Sequence, residues 1–334
     1  MEVGLSLPNR AMLFGALTWP QMLSMAAVAE QSESVGSLWV GDSVIAKPRP
    51  ESVVLLSAFA SRTTRLKLGP ACMASFNLRH PIVFAAQWAT LDVISNGRTI
   101  LAACIGGPTG PGAGAGAYQT ELRAMGFEFS QRVGRMEEGI AILRRLWTED
   151  RVTHQGRYYR FEGVHIEPRP VQQPCPPVWI ASSPNPALIG EPRFHHALER
   201  VARLADGWMT ALLRPEEFAQ RWRIIQDLAV DAGRDPETLT SAQHIMLNIN
   251  DDERTARTEA KVFLDTYYDA DFSEEELSRW GIFGSPQRCA DALQDFINAG
   301  CQVPIVRLAS WNPLGQLAVC VEAVLPKLTT RTAV

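Results

Sequence analysis

The chain alternates short apolar runs with longer stretches in which apolar residues recur at helical spacing. The short runs have the length and β-branched content of buried strands, and turn residues bound most of them. They predict strands over 3–7, 37–41, 66–72, 99–105, 178–181, 207–211, 243–248 and 303–308. Because a helix separates nearly every strand from the next, this order favours a closed (β/α)8 TIM barrel, an α/β fold. A doubly wound parallel sheet is the main alternative.

The helical stretches carry recognisable start signals. Pro50, Pro81 and Pro286 stand at predicted first turns, and Asp251 or Asp252 is placed to cap a helix. The predicted helices cover 20–34, 50–61, a stretch that starts at Pro81, 132–147, 195–204, 215–231, 253–268, 286–299 and 314–328. Insertion loops or lids at the C-terminal face of the barrel are predicted over 107–130, 151–177 and 269–284. Residues 107–117, rich in glycine and proline, predict a mobile loop.

The bulk composition narrows the possible classes of protein. The 334 residues, 46% hydrophobic and 20% charged, suit a single soluble domain over 1–334. The net charge of −4 argues against a nucleic-acid or anionic-membrane partner. The sequence has no apolar run of about 18 residues and no secretory signal pattern, so we expect a cytoplasmic protein. The six cysteines form no C-x-x-C pair and the histidines no H-E-x-x-H motif, so we expect buried, reduced thiols and no metal site.

The segment 66–98 is the most informative part of the sequence, because an unusually polar loop follows its first strand. That loop ends in Arg79-His80-Pro81, and Asp42 ends the preceding strand. In α/β folds, ligands bind at the carboxyl ends of parallel strands. Asp42 could therefore bond a ligand ring or cap a turn. His80, with an ordinary pKa of about 6.5, could exchange a proton or cap the helix that follows.

Several sequence pieces resemble, in order and spacing, the bacterial-luciferase-like flavin-dependent oxidoreductases. The pieces span about 1–328 and are Leu38-Trp39-Val40-Gly41-Asp42, Arg79-His80-Pro81, Leu91-Asp92, Gly97-Arg98, 142–147, 154–159, 168–170, 177–180 and Ala205-Asp206-Gly207-Trp208. The resemblance implies a (β/α)8 barrel, a homodimer, and either reduced FMN or the deazaflavin coenzyme F-420. The chain departs from the family after strand five, where Ser182-Ser183 and an added stretch, 184–194, replace a glycine or asparagine pair.

The resemblance also implies positions for the cofactor ring. Met73, Ala74 and Ser75 would lie against the flat ring, at a bulge where the family has a non-proline cis peptide. Small residues there would let the backbone approach the ring closely. Cys104 and Gly106 would border the ring and the phosphate tail through backbone contacts.

Two further places complete the predicted site. Ser182 and Ser183 would hold the phosphate, or would form a turn without a ligand. His154 and Tyr158 would reach the site from the segment 151–177, or would belong to an exposed hairpin.

The resemblance favours a two-component monooxygenase that uses reduced FMN and O2 on a small organic substrate, with a separate flavin reductase as partner. Asp42, His80 and His154 are its candidate catalytic residues. The alternative is an F-420-dependent reductase or dehydrogenase, whose acidic coenzyme tail would need basic residues such as Arg193 and Arg200. Because no acid–base pair stands out, a non-catalytic flavin-binding protein is a third alternative.

Overall fold

The structure is a computed structural model that describes residues 2–107 and 115–330. Most of its strands belong to one parallel sheet. In chain order the strands are β1 (Val3–Leu7), β2 (Val35–Val40), β3 (Lys67–Pro70), β4 (Leu101–Cys104), β5 (Val152–Gln155), β6 (Arg160–Val164), β7 (Val178–Ala181), β8 (Gly207–Ala211), β9 (Thr240–Ile249), β10 (Gly281–Gly284) and β11 (Val303–Leu308). The predicted bounds of β1, β7, β8 and β11 are confirmed.

The sheet closes into a barrel. Its strands follow the order β3-β2-β1-β11-β9-β8-β7-β4, and β10 pairs with the carboxyl half of β9. Two bridges then join the ends of this path, Leu68 with Thr99 and Met73 with Ala103. The N–H of Met73 donates to the carbonyl of Ala102 at 2.9 Å. The prediction of a (β/α)8 barrel is therefore confirmed, and the doubly wound sheet is excluded.

Helices connect the barrel strands and cover the outside of the barrel. They are α1 (Trp19–Gln31), α2 (Ser52–Ala60), α3 (Pro81–Ser95), α4 (Ala115–Ala124), α5 (Arg132–Thr148), α6 (Pro186–Ile189), α7 (Glu191–Leu204), α8 (Pro215–Asp231), α9 (Glu253–Tyr268), α10 (Glu274–Trp280), α11 (Pro286–Asn298) and α12 (Pro313–Val319). Asp252 caps α9 as predicted, because its carboxylate accepts the N–H of Arg254 at 2.8 Å. The predicted helix 314–328 is instead α12 followed by irregular helical turns.

The inserted segments contain more regular structure than predicted. Of the segment 107–130, residues 108–114 lie outside the described part, so the mobile loop predicted there is untested, whereas 115–124 form α4. The segment 269–284 contains α10 and β10 instead of a long loop, and the added stretch 184–194 contains α6 and the start of α7. The hairpin predicted within 151–177 is present as β5 and β6. Their roles as lids stay predictions.

The amino-terminal half of the barrel interior is packed with side chains. The indole rings of Trp39 and Trp179 lie 5.3 Å apart, with Met209 and Ile305 in the same buried cluster. Space for a ligand inside the barrel is therefore left only towards the carboxyl mouth. Ile305 pairs with His244 in the sheet, so His244 and Arg307 lie on the inward face above this packed layer.

Candidate active site

The loop that follows β3 is held in place by Asp42, which lies just after β2. One carboxylate oxygen of Asp42 accepts the backbone N–H of Ser75 at 2.7 Å, and the other accepts the Ser52 hydroxyl at 2.7 Å. The Arg79 guanidinium lies 3.7 Å from Asp42 and 2.5 Å from Glu51. Because protein donors engage both oxygens, the geometry favours a positioning role for Asp42. Its predicted catalytic role stays a prediction.

The end of β3 contributes mainly backbone to the mouth. The Ala71–Cys72 peptide bond is cis, as the resemblance implies for this bulge. The Met73 side chain is fully buried, and its sulfur accepts the Ser75 hydroxyl at 3.6 Å. Ser75 is fully buried as well, whereas Ala74 is partly exposed. Of the three predicted ring-facing residues, Ala74 is therefore the one whose side chain is accessible.

The end of β4 approaches this bulge closely. Gly106 has a φ of +76°, in the left-handed region that favours glycine. A Cβ atom at Gly106 would lie 3.1 Å from the carbonyl oxygen of Ala74. The two strand ends thus form a backbone cradle, defined here by Ala74 and Gly106, which a larger side chain would fill.

Two interacting thiols lie beside the cradle. Cys72 and Cys104 are partly exposed, whereas Cys289, Cys301 and Cys320 are buried as expected. A hydrogen bond with Cys72 lowers the pKa of Cys104, and the same interaction raises the pKa of Cys72 well above its ordinary value. The N–H of Gly106 also points to the Cys104 sulfur, at 3.4 Å. Cys104 is therefore the more acidic thiol of the pair.

His80 caps α3. Its Nδ1 accepts the N–H of Ile82 at 3.3 Å, and its exposed ring meets the Tyr159 ring edge-to-face with centroids 5.7 Å apart. The structure thus shows the capping alternative. A role of His80 in proton exchange stays a prediction and would involve its other ring nitrogen, Nε2.

His154 and Tyr158 hold the β5–β6 hairpin against α5. Nε2 of His154 lies 3.0 Å from the Glu138 carboxylate, which also accepts the N–H of Tyr158 at 3.1 Å. The Tyr158 ring packs on Gly134, where a Cβ would lie 2.7 Å from the phenol oxygen. Neither residue lies on a freely exposed hairpin, since both are half-buried. Their contributions to catalysis and cofactor binding stay predictions.

Ser182 and Ser183 tie β7 to β8. The Ser183 hydroxyl bonds the Thr210 hydroxyl at 2.9 Å and accepts the N–H of Ala211 at 2.9 Å. The carbonyl of Ser182 accepts the indole N–H of Trp208 at 2.8 Å. These contacts join the ends of the two strands and do not form the predicted turn. The phosphate role stays a prediction.

The sequence analysis missed a cationic cluster at the mouth. Nε of Arg49 donates to the Lys47 carbonyl at 2.9 Å, and Arg10 donates to the Tyr267 carbonyl. Arg132, in the first turn of α5, stacks 3.5 Å from the Phe129 ring. Within the described residues, the arginines without a carboxylate in ion-pair range include Arg10, Arg49, Arg132 and Arg307. The sequence feature that could have indicated this cluster is Arg307, a charged residue inside the apolar run of β11.

The mouth is lined by small residues on one side. Ala71, Cys104, Ala181 and Ala211 end or follow β3, β4, β7 and β8, and all are partly exposed. Small side chains at neighbouring strand ends leave room for a flat ring to lie against the backbone. Together with the backbone cradle, the residues present fit a tricyclic cofactor on this side.

The closed barrel and the backbone cradle at its carboxyl mouth define a β/α-barrel protein whose mouth has room for a flat ring. The chain belongs to the luciferase-like monooxygenase family, whose model matches residues 1–302. Membership confirms the resemblance and establishes a luciferase-like oxidoreductase.

Two relatives carry the name F-420-dependent glucose-6-phosphate dehydrogenase. The one from Nakamurella multipartita is 24% identical over 92% of this chain and 93% of its own length. The one from Amycolatopsis mediterranei is 32% identical over 49% of this chain, and the match spans about half of that relative, 48%.

Two solved structures show the same fold. Monooxygenase RslO1 from Streptomyces bottropensis has a TM-score of 0.78 and 21% identity, covering 98% of this chain and 99% of its own. An F-420-dependent secondary alcohol dehydrogenase, solved with an F-420–acetone adduct, has a TM-score of 0.78 and 16% identity with the same coverage. Throughout the described residues, the helices are too short or too polar to cross a bilayer.

Proposed function

We propose that this protein is an oxidoreductase that uses the deazaflavin coenzyme F-420 and transfers hydride to or from a small organic substrate. The observation that carries the proposal is the set of guanidinium groups around the mouth, Arg10, Arg49 and Arg132, none of which has a carboxylate of the described chain within ion-pair distance. A coenzyme with a phosphate and an acidic tail supplies the missing negative charges. The names of the two relatives support the same coenzyme.

The residues of the mouth have distinct tasks in this proposal. When bound, the deazaflavin would supply or accept a hydride. Ala74 and Gly106 provide the backbone cradle for its ring, and Asp42 fixes the loop that carries Ala74. Arg132 lies beside Cys104, buried and with its Nε unpartnered, and is suited to the phosphate or the tail.

The proton that accompanies hydride transfer needs an acid or base at the rim. His80 is the proposed group, since its ring is exposed and its Nδ1 is already engaged in capping α3. An imidazole can both donate and accept a proton and can therefore serve both directions of the reaction.

A coenzyme titration tests the proposal. The purified protein is titrated with F-420 and, separately, with FMN, and binding is followed through the fluorescence of each coenzyme. We expect tight binding of F-420, weaker binding of FMN, and loss of the oxidised deazaflavin absorbance on mixing with a panel of alcohols and sugar phosphates. Binding of FMN alone would contradict the proposal, and coenzyme binding without turnover on a broad panel would indicate a flavin-binding protein.

A second candidate is the two-component monooxygenase. The description of the family and the fold shared with RslO1 favour it. It would require reduced FMN from a separate flavin reductase, so the test is oxygen uptake by protein, reductase and substrate together. Uptake that depends on this protein would favour the monooxygenase over the deazaflavin enzyme.

A further inference from the structure

Arg307 occupies an unusual position for a charged residue. It lies in β11 on the inward face of the barrel and is 1% exposed. One of its terminal nitrogens donates to the Tyr268 hydroxyl at 2.5 Å, and the other donates to the Ser6 hydroxyl at 2.7 Å. Its Nε has no hydrogen-bond partner. The Arg307 guanidinium has five N–H donors, but its two hydrogen bonds go to neutral hydroxyl oxygens only.

The charge of Arg307 is not neutralised by an acidic residue. No carboxylate of the described chain lies within ion-pair distance of its guanidinium, in contrast to Arg144, which pairs with Asp206 at 2.8 Å. The Tyr267 ring, 5.0 Å away, compensates only partly through its π face. A buried guanidinium is normally paired, because removing its charge from water without a counter-charge is costly. An anion bound beside Arg307 would therefore be strongly stabilised.

Two more buried ring nitrogens lie near Arg307. Nε2 of His244 and Nε1 of Trp280 lack hydrogen-bond partners. The His244 and Trp280 rings lie 6.2 Å apart, and the Trp280 ring lies 5.0 Å from Tyr268, which Arg307 contacts. These groups converge on one region, since each is linked to the next by a ring contact or a hydrogen bond. Trp280 is its outermost member, being partly exposed while Arg307 and His244 are buried.

We propose that Arg307, with His244 and Trp280 beside it, binds an anionic group of the substrate, a carboxylate or a phosphate. The proposal rests on the proposed function, in which the remainder of the substrate faces the ring over the cradle. The geometry agrees, because Arg307 and Arg49 lie 5.0 Å and 5.7 Å from the centre of the same Tyr267 ring, and Arg49 belongs to the segment after β2 that begins near Asp42. Arg307 would thus select organic acids or phosphate esters over neutral molecules of the same skeleton.

Arg307 could instead serve only to tie β11 to β1 and α9. Both roles predict that its replacement destabilises the barrel, so stability alone does not separate them. Anion binding does separate them, because a purely structural arginine leaves no site for an added anion. His244 provides a local reporter, since its ring adjoins the expected position of the anion.

The test uses the full chain without coenzyme, so that it stands apart from the coenzyme titration. Protein with isotope-labelled histidine is titrated with inorganic phosphate and, separately, with acetate, and the His244 signal is assigned with His244→Gln. We expect saturable movement of that signal with at least one of the two anions. Saturation by one anion alone identifies the anionic group of the substrate. No movement with either anion would overturn the proposal.

Variants complete the test. We expect Arg307→Met to weaken anion binding at least tenfold and Arg307→Lys to retain part of it, because lysine keeps the charge but not the fork of donors. Arg144→Met is the matched control, an ion-paired arginine on another part of the barrel, and should bind as the wild type does. Folding of each variant is checked by circular dichroism. Equal anion affinity in wild type and in folded Arg307→Met, or in folded Arg307→Lys if Met does not fold, would overturn the proposal.

Discussion

The backbone N–H of Ser75 donates to the Asp42 carboxylate at 2.7 Å, so the residue after β2 fixes the loop after β3. The same carboxylate meets the Arg79 guanidinium, and Arg79 also donates to the Ser75 hydroxyl at 3.1 Å. These contacts form a closed ring of interactions around the end of β3. The shape of the cradle therefore depends on a residue from the neighbouring strand.

Asp42→Asn should weaken both folding and coenzyme binding. The substitution keeps the size of the side chain but removes the charge that strengthens the bonds from Ser75 and Arg79. We expect the free energy of unfolding to fall by about 1.5–3 kcal/mol. Coenzyme affinity should fall as the loop loosens. Chemical denaturation and a coenzyme titration measure the two effects, and exposed Asp251→Asn is the control. Unchanged values in both assays would show that Asp42 does not position the loop.

The sequence predicts the barrel well because its strands are short apolar runs with clear ends. β8 and β11 begin and end where predicted, since turn residues or helix signals bound them. The strand predicted over 66–72 pairs regularly only over Lys67–Pro70, and Met73 then forms an isolated bridge with Ala103. Single-sequence periodicity does not register such an interruption of strand pairing.

Residues of the candidate site could be predicted from the sequence only where each stands at the end of a recognisable strand. Asp42, Ala74 and Gly106 each stand at a strand end, and strand ends meet at the mouth of a barrel. The cationic cluster could not be predicted in the same way, because Arg49 and Arg307 are far apart in sequence and approach the same Tyr267 ring only once β1 pairs with β11. The sequence places His80 in the loop after β3 and Ser183 just after β7, and in the structure the His80 Nδ1 and the Ser183 hydroxyl are engaged by backbone N–H groups.

Gly106→Ala should impair the cradle more than its conformational cost explains. A Cβ at Gly106 would meet the Ala74 carbonyl oxygen at 3.1 Å, whereas a Cβ at Gly126, with φ +77°, would meet nothing within 4 Å. Both substitutions place alanine in the left-handed region, at about 1–2 kcal/mol each. Gly126→Ala is therefore the matched control. We expect Gly106→Ala alone to lower coenzyme affinity, about tenfold, in a fluorescence titration. Equal affinities of the two variants would place the ring elsewhere.

The thiols should differ in reactivity towards iodoacetamide at about pH 8, where the thiolate is the reacting species. Burial raises the pKa of Cys289, Cys301 and Cys320 to about 12, so these thiols should stay unmodified in the folded protein. Cys104 is partly exposed, and its hydrogen bond with Cys72 lowers its pKa. It should therefore react first, at least about tenfold faster than the three buried thiols. Peptide mass spectrometry gives the rates.

The same labelling locates the cofactor. If the ring lies in the cradle beside Cys104, a bound coenzyme should slow modification of Cys104 and leave that of partly exposed Cys175 unchanged. Cys175 is a fitting internal control because it lies before the amino end of β7, whereas Cys104 lies at the carboxyl end of the parallel neighbour β4. Protection of neither thiol at saturating coenzyme would argue against the cradle as the ring site.

His244 should make the protein less stable in mild acid. Burial, followed by the charge of Arg307, lowers the pKa of His244 well below 6.5, so the folded protein holds this ring neutral. The unfolded chain takes up the proton first, and stability is therefore lost as the pH falls below about 6.5, by up to about 1.4 kcal/mol per pH unit for one proton.

His244→Gln should show a shallower fall in stability than the wild type when unfolding free energies are measured from about pH 7 to pH 5. Exposed His196→Gln should retain the wild-type slope. Because the slopes are compared, any overall loss of stability in His244→Gln does not affect the test. Identical slopes in all three proteins would mean that His244 is charged in the folded barrel, which its burial and the nearby charge of Arg307 would strongly oppose.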